Sequence, residues 1–187
     1  MIYTESELNA LGITFGKNVS IDRSVLFFGS NIEIGSNVRI DCHCVITSKA
    51  KVSIGNNVHL GIGVSLIGTA GLIIEDFAGV SAKCTLLTTS DDYSGGFLAN
   101  PTIPDSYRNV TSDQIRLERH ALLGAASVVM PGVTIHKGAA VGALSFVNKN
   151  IPEFLIASGN PIRKIGVRNR EKLEHLEKLY EYEKNHH

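Results

Sequence analysis

Aliphatic residues recur at every sixth position over long stretches of this chain. Between residues 117 and 147 the run Leu117, Leu123, Val129, Ile135, Val141, Val147 is unbroken. Four positions after these stand Ala121, Ser127, Val133, Ala139 and Ser145, all small or apolar enough for a crowded corner. The same grammar appears earlier as Ile34, Ile40, Ile46, then Ile54, Leu60, Leu66, then Ile74, Val80, Leu86. An amphipathic helix would space its apolar residues by three and four, and a half-buried strand by two, so a sustained period of six fits neither. It fits short strands joined by corners, three to a coil, with stacked coils burying the aliphatic positions in interior ladders. Gly or an acid often follows the aliphatic residue, as in Ile34-Gly35, Ile54-Gly55, Ile74-Glu75, Leu123-Gly124 and Val141-Gly142, where a corner tolerates little bulk.

A stack of small units needs few large anchors, and the chain has 6% aromatic residues and no Trp. Its 187 residues suit one main domain. Eighteen basic residues balance eighteen acidic ones, so no global field draws the chain onto nucleic acid or an anionic membrane. Any charged ligand must be met by local groups. No run approaches the ~20 apolar residues that span a bilayer. The start, MIYTESELNALG, has no basic stretch followed by a long apolar one, so a cytoplasmic location is expected. Cys42, Cys44 and Cys84 are odd in number, and Cys42-x-Cys44 is too tight for a disulfide framework, so they read as plain buried thiols.

The repeat is expected over residues 13–151. Before it, Thr4-Glu5-Ser6-Glu7 reads as a capping box opening a short helix in an N-terminal cap over residues 1–12, with an irregular cap as the alternative. The period fails between Leu86 and Leu117, and residues 88–114 form a loop ejected from the coil, with two Pro, two Gly and no hexads. A long insertion in an otherwise economical solenoid is more often functional than idle. In the C-terminal segment 152–187, Leu173, Leu176, Leu179 and Tyr180 lie at helical spacing among Glu and Lys, which predicts an amphipathic helix packed on the coil exterior. His186-His187 reads as a remnant of an affinity tag.

The hexads, the ejected DDYSGG…NPTIPDSYRNV stretch and the segments LERHALLG and VVMPGVTIHKGAAVGALSFVNK that follow it resemble the hexapeptide-repeat acyltransferase superfamily, in its branch of sugar O- and N-acyltransferases of surface-polysaccharide pathways. The resemblance implies an all-β fold, a left-handed parallel β-helix with an inserted loop and a C-terminal α-helix. The left hand is an exception to the usual crossover rule. It also implies a homotrimer whose loop reaches the neighbouring subunit, and acetyl-CoA or another acyl-CoA as cosubstrate.

Many relatives carry a catalytic His in or near this loop, whereas here the stretch reads Thr88-Thr89-Ser90-Asp91-Asp92-Tyr93. A sugar hydroxyl needs a base before it attacks a thioester. An amine of pKa about 8 is already partly neutral near pH 7. The carboxylates therefore favour the amine of a nucleotide-linked (dTDP or UDP) deoxyamino sugar as acceptor, with O-acetylation of a sugar hydroxyl as the alternative. Asp92 and Asp91 are candidate substrate-orienting groups, or else carboxylates that cap the loop. His120, near a corner of the first coil after the loop, is a candidate catalytic group or a solvent-facing corner residue, and His43, His59 and His136 are weaker candidates.

For the donor, Gly124, Ala125, Gly142 and Ala143 offer low-bulk corners for a pantetheine arm, although tight corners alone demand the same residues. The segment FVNKNIPEFLIASGNPIRKI resembles the family's ending, where backbone and basic groups meet the nucleotide of CoA, which makes Lys149, Arg163 and Lys164 candidate phosphate contacts or plain solvated charges. No metal is expected. Zinc-binding γ-class carbonic anhydrases share the architecture, but their close pair of His is missing around His120. A non-catalytic scaffold would call for neither the loop nor the CoA-like ending.

Overall fold

The computed structural model describes residues 1–186, and His187, the end of the expected C-terminal segment and of the His pair, lies outside the described residues. The chain winds as a left-handed parallel β-helix of about seven coils, each triangular in section. Face 1 stacks Thr14–Phe15, Ile32–Ile34, Val52–Ile54, Leu72–Ile74, Ile115–Leu117 and Thr134–Ile135. Face 2 stacks Ser20–Ile21, Arg39–Ile40, His59–Leu60, Gly79–Val80, Leu122–Leu123, Ala140–Val141 and Leu155–Ser158, and the strand Arg163–Val167 then pairs antiparallel on its edge. Face 3 stacks Leu26–Phe28, Val45–Thr47, Ser65–Ile67, Thr85–Leu87, Val128–Val129 and Phe146–Val147.

The register explains the period. Ile34 aligns with Ile54 and Ile54 with Ile74, Leu60 with Val80 and Val80 with Leu123, so each hexad aliphatic sits directly above its counterpart in the next coil. All of them are buried. Each fully buried Ile or Leu contributes roughly 1.5–3 kcal/mol, and a short two-residue strand is held only because coils above and below satisfy its backbone. The parallel ladder runs past residue 151, because Ile156 and Ala157 align with Ala140 and Val141.

The corner between faces 1 and 2 requires one left-handed residue per coil. Asn18, Asn37 and Asn57 fill it in the first three coils, with Asn18 Nδ2 donating to Asn37 Oδ1 at 3.0 Å and Asn37 Nδ2 to Asn57 Oδ1 at 3.2 Å. Asn tolerates this conformation better than most residues. In the next two coils Phe77 and His120 take its place at φ 60° and 63°, their rings stacked 5.0 Å apart.

Helix α1 (Glu5–Ala10) covers the first coil. Thr4 and Glu7 form a reciprocal capping box, and Leu8 is buried against the coil. Helix α2 (Arg170–His186) runs back along the face 1–face 2 corner. Its inward contacts are ionic and aromatic, and only part of the apolar stripe its sequence suggests turns inward: Leu173 is half-buried and Tyr180 sets its ring edge-on to Phe77 at 5.8 Å, but Leu176 and Leu179 are 51% and 45% exposed, and Glu174 pairs with Lys137, Glu177 with Arg119 and His120, and Glu181 with Arg119. The reason is a match of repeats. One helical turn rises 5.4 Å and one coil about 4.8 Å, so the helix face bearing residues 174, 177 and 181 runs along the corner, where Lys137 of one coil and Arg119 of the next supply cations.

Candidate active site

The ejected loop is an arm. It leaves face 3 after Leu87, is tied at its base by the antiparallel pair Thr89–Ser90 and Thr111–Ser112, and returns into face 1 at Ile115. Thr69 Oγ1 and Ser112 Oγ, 3.3 Å apart, fix the base to the corner between faces 3 and 1. Beyond the base the arm folds toward the N-terminal coils and encloses a cleft of about 630 Å³ between itself and that corner, lined by Lys49, Thr69, Ser90, Asp91, Tyr93 and Arg108 among others.

Asp91 faces this cleft. Its Oδ2 accepts from Asn100 N at 3.2 Å, and its Oδ1 lies 3.9 Å from Arg108 Nη1. Arg108 also pairs with Asp105, so one guanidinium joins both sides of the arm tip. Asp92 Oδ1 accepts from Ser94 Oγ at 2.6 Å and Ser94 N at 2.7 Å, and its Oδ2 from Asn109 Nδ2 at 3.4 Å. Those bonds, the Ser94 hydroxyl's first, hold the Asp92 carboxyl below its ordinary range. Within one subunit Asp92 thus closes a turn, while Asp91 and Asp105 are carboxylates on the cleft wall. Arg108, Lys49 and Tyr93 escaped the sequence reading. The signal available was an Arg inside an acidic, turn-rich insertion.

His120 is elsewhere. It sits at the face 1–face 2 corner, 8% exposed, with Nε2 2.7 Å from Glu177 Oε2, its ring on Phe77, and its carbonyl accepting from Arg168 Nη1 at 2.8 Å. Burial alone would raise the Glu177 carboxyl, but the hydrogen bonds from Arg119 and His120 outweigh it and hold the group below its ordinary 4.5. A depressed folded-state pKa gives stability that is complete above the unfolded value and lost as pH falls through the folded one. Amide protection factors along Leu173–Tyr180 are therefore expected to drop between pH 6 and pH 3, and Glu177→Gln to flatten that dependence. Equal protection at both pH values in the unaltered chain would show that these pairs do not hold the helix.

Gly124, Ala125, Gly142 and Ala143 come together at the face 2–face 3 corner of adjacent coils. A Cβ on Gly124 would lie 2.4 Å from Ala143 N and 2.6 Å from Gly142 C, and one on Gly142 would lie 2.6 Å from Ser158 Oγ. Arg163 and Lys164 are exposed on the strand aligned with Ser158 and Ala157, near the same corner. Lys149 is exposed on the turn from face 3 to face 1, apart from them. Cys44 and Cys84 are buried free thiols, kept protonated chiefly by burial. Among the described residues no helix is long and apolar enough to cross a membrane, and no group of His, Cys, Asp and Glu could hold a metal ion.

No family profile matches the chain. It is 35% identical over 179 residues to dTDP-4-amino-4,6-dideoxy-D-glucose acyltransferase of Escherichia coli, covering 94% of this chain and 93% of that protein. Among solved structures, AntD, an N-acyltransferase from Bacillus cereus in complex with dTDP and 3-hydroxybutyryl-CoA, superposes with a TM-score of 0.93 at 37% identity, over 98% of both chains. A variant of AntD in complex with dTDP-4-amino-4,6-dideoxyglucose and coenzyme A superposes at 0.89 with 34% identity, over 97% of this chain and 98% of that one. Each of these proteins is an acyltransferase by name, and the two structures share the fold of this chain over nearly its whole length. The chain belongs to the hexapeptide-repeat family of sugar acyltransferases, and it is an acyltransferase.

Proposed function

We propose that the chain transfers the acyl group of acetyl-CoA or a related acyl-CoA to the amine of a dTDP-linked deoxyamino sugar destined for surface polysaccharide, as a cytoplasmic homotrimer. The observation that carries this reading is the arm: residues 88–114 contain carboxylates and no histidine, in a chain similar throughout its length to amino-sugar acyltransferases. The neutral amine attacks the thioester carbonyl, a C–N bond forms, the C–S bond breaks, CoA leaves as thiolate, and the proton the nitrogen loses ends on that thiolate or in water. Asp91 and Asp92 orient the amine. A thiol-release assay with dTDP- and UDP-amino sugars and their hydroxyl counterparts tests it. Turnover of dTDP-amino sugars is expected, and turnover of the hydroxyl compounds alone would establish the O-acetyltransferase reading instead.

Trimer formation is supported by the outward side chains. Face 1 presents Thr14, Glu33, Ser53, Ile73, Arg116 and Thr134, mostly polar, and its corner with face 2 is covered by α2. Face 3 presents Leu26, Phe28, Val45, Ile67, Leu87, Val128 and Phe146, with Thr47, Ser65 and Thr85 between them, a largely apolar surface in a single subunit. Closed cyclic symmetry lets face 3 of each subunit meet face 2 of the next. A light-scattering mass of three chains is expected. A monomer at working concentration would refute it.

The pantetheine arm is assigned to the corner of Ala125, Gly142 and Ala143, with Arg163 and Lys164 near the phosphates and Lys149 reaching them only across a subunit boundary. Ala143 is exposed, so Ala143→Leu is expected to weaken CoA binding about tenfold, or 1.4 kcal/mol, while leaving the denaturant midpoint in place. Unchanged affinity by calorimetry would remove that corner from the site.

A further inference from the structure

Outside the arm, one cluster of polar side chains on the solenoid has the form of a proton acceptor. Asp41, with its side chain 16% exposed, holds His59 and Arg39 from two coils: its Oδ2 lies 2.8 Å from His59 Nε2, and its Oδ1 accepts from Arg39 Nε at 2.7 Å. Burial alone would raise the Asp41 carboxyl, but these partners outweigh it and keep it below its ordinary range. A carboxylate on Nε2 fixes the neutral imidazole with its proton there and its lone pair on Nδ1. Among the described residues Nδ1 has no hydrogen-bond partner, and the His59 side chain is 52% exposed. Shallow clefts flank the pair. One of about 400 Å³ is lined by Ser20, Arg39, Cys42 and Ile62, and one of about 290 Å³ by Gly61, Gly79, Ser81 and Leu122.

The placement of this pair is informative. It lies on face 2 of the second and third coils, and the arm cleft is floored by Lys49 and Thr69, which close the second and third coils at the face 3–face 1 corner. A threefold axis parallel to the solenoid carries each group to the neighbouring subunit at unchanged height. With face 3 against the next subunit's face 2, the arm projects from the outer edge of that contact and overhangs the partner's face 2 at the level of the pair. The two surfaces also match in character. The arm tip exposes Tyr93, 91% accessible, with Phe97 and Tyr107, and carries Asp91 and Asp105, whereas face 2 offers the cationic Arg39 on the second coil, with Ile62 exposed at its corner with face 3 and Leu122 exposed on the fifth coil.

We infer that the Asp41–His59 pair of one subunit closes the acceptor site formed by the arm of the next, and that His59 Nδ1 accepts the proton the amine releases as the C–N bond forms. The departing thiolate or water then takes that proton, which returns His59 to its neutral form and leaves the amide and the free thiol as products. This rests on the trimeric, amine-directed reading above. Because the amine attacks in its neutral form and water can also take the proton, His59 speeds the reaction without being indispensable.

The test mixes two variants. Asp91→Asn/Asp92→Asn damages the arm, and His59→Ala, at an exposed position, damages the pair. Each alone is expected to lower kcat/KM for the amino sugar about tenfold or more, with affinity for acyl-CoA and the denaturant midpoint retained. Co-refolded one to one, random trimers contain about a quarter of sites with both halves intact and about a quarter with both damaged, so at subsaturating acceptor the rate should exceed the parents' mean by about a fifth of the wild-type rate. A mixture at the parents' mean would place arm and pair in the same subunit's site and overturn the inference. So would full activity of either variant alone. A monomeric wild-type enzyme, or one that acylates only hydroxyls, would instead overturn the reading on which the inference rests.

Discussion

Gly124→Ala is expected to cost about 3 kcal/mol of stability, the upper part of the range for forcing extra volume into a packed site. The added Cβ would meet backbone on every side: Ala143 N at 2.4 Å, Gly142 C at 2.6 Å and Val141 O at 2.8 Å. None of these atoms can retreat without separating the fifth coil from the sixth, where Gly124 N donates to Val141 O at 2.7 Å. Gly142→Ala should cost less, since the nearest obstacle is the Ser158 side chain. Equilibrium denaturation of the two variants separates these costs. A wild-type midpoint for Gly124→Ala would mean that the coils part easily at this corner. The expected result has a functional corollary: Gly124 is small because the coils are close, so donor binding at this edge is read at Ala125 and Ala143, whose side chains point outward.

The solenoid was legible because its physics is one-dimensional. Each hexad aliphatic needs only the residue one coil above and below, so the rule that buries Ile54 also buries Ile74 and Leu117, and the sequence repeats it. The arm was legible as a failure of that rule, and its carboxylates could be named. What spacing could not supply was which of them faces a cavity. Asp91 and Asp92 are neighbours in sequence, yet one turns to Arg108 and the cleft while the other closes a turn on Ser94, a choice made by the fold of residues 94–110. His120 was illegible for a different reason. Its environment comes from α2, over fifty residues later in the chain, and the helix meets this corner chiefly through ion pairs, with Tyr180 against Phe77, contacts that no spacing near His120 announces. The Asp41–His59 pair spans 18 residues and two coils, a separation that only the register of face 2 converts into contact.

Those positions set opposite expectations for Asp92 and His120. Asp92 is held anionic by Ser94, and an amino sugar arrives largely as an ammonium before it loses its proton. Asp92→Asn keeps an oxygen acceptor for Ser94 and hence the turn, but removes the charge that attracts the cation. A loss of about tenfold to a hundredfold in kcat/KM is expected, carried mainly by acceptor binding. His120→Ala should act on stability instead. It deletes the stack on Phe77 and leaves Glu177 with Arg119 alone, which loosens α2 while the arm, at another corner of the triangle, keeps its geometry. Steady-state kinetics alongside denaturation distinguish the two. A general base commonly contributes 10²–10⁴-fold, on the order of a collapse in kcat. That collapse in a folded His120→Ala, with Asp92→Asn near wild type, would move the reaction to the face 1–face 2 corner and turn the favoured acceptor from an amine to a hydroxyl, because only the hydroxyl depends on a base to attack at all.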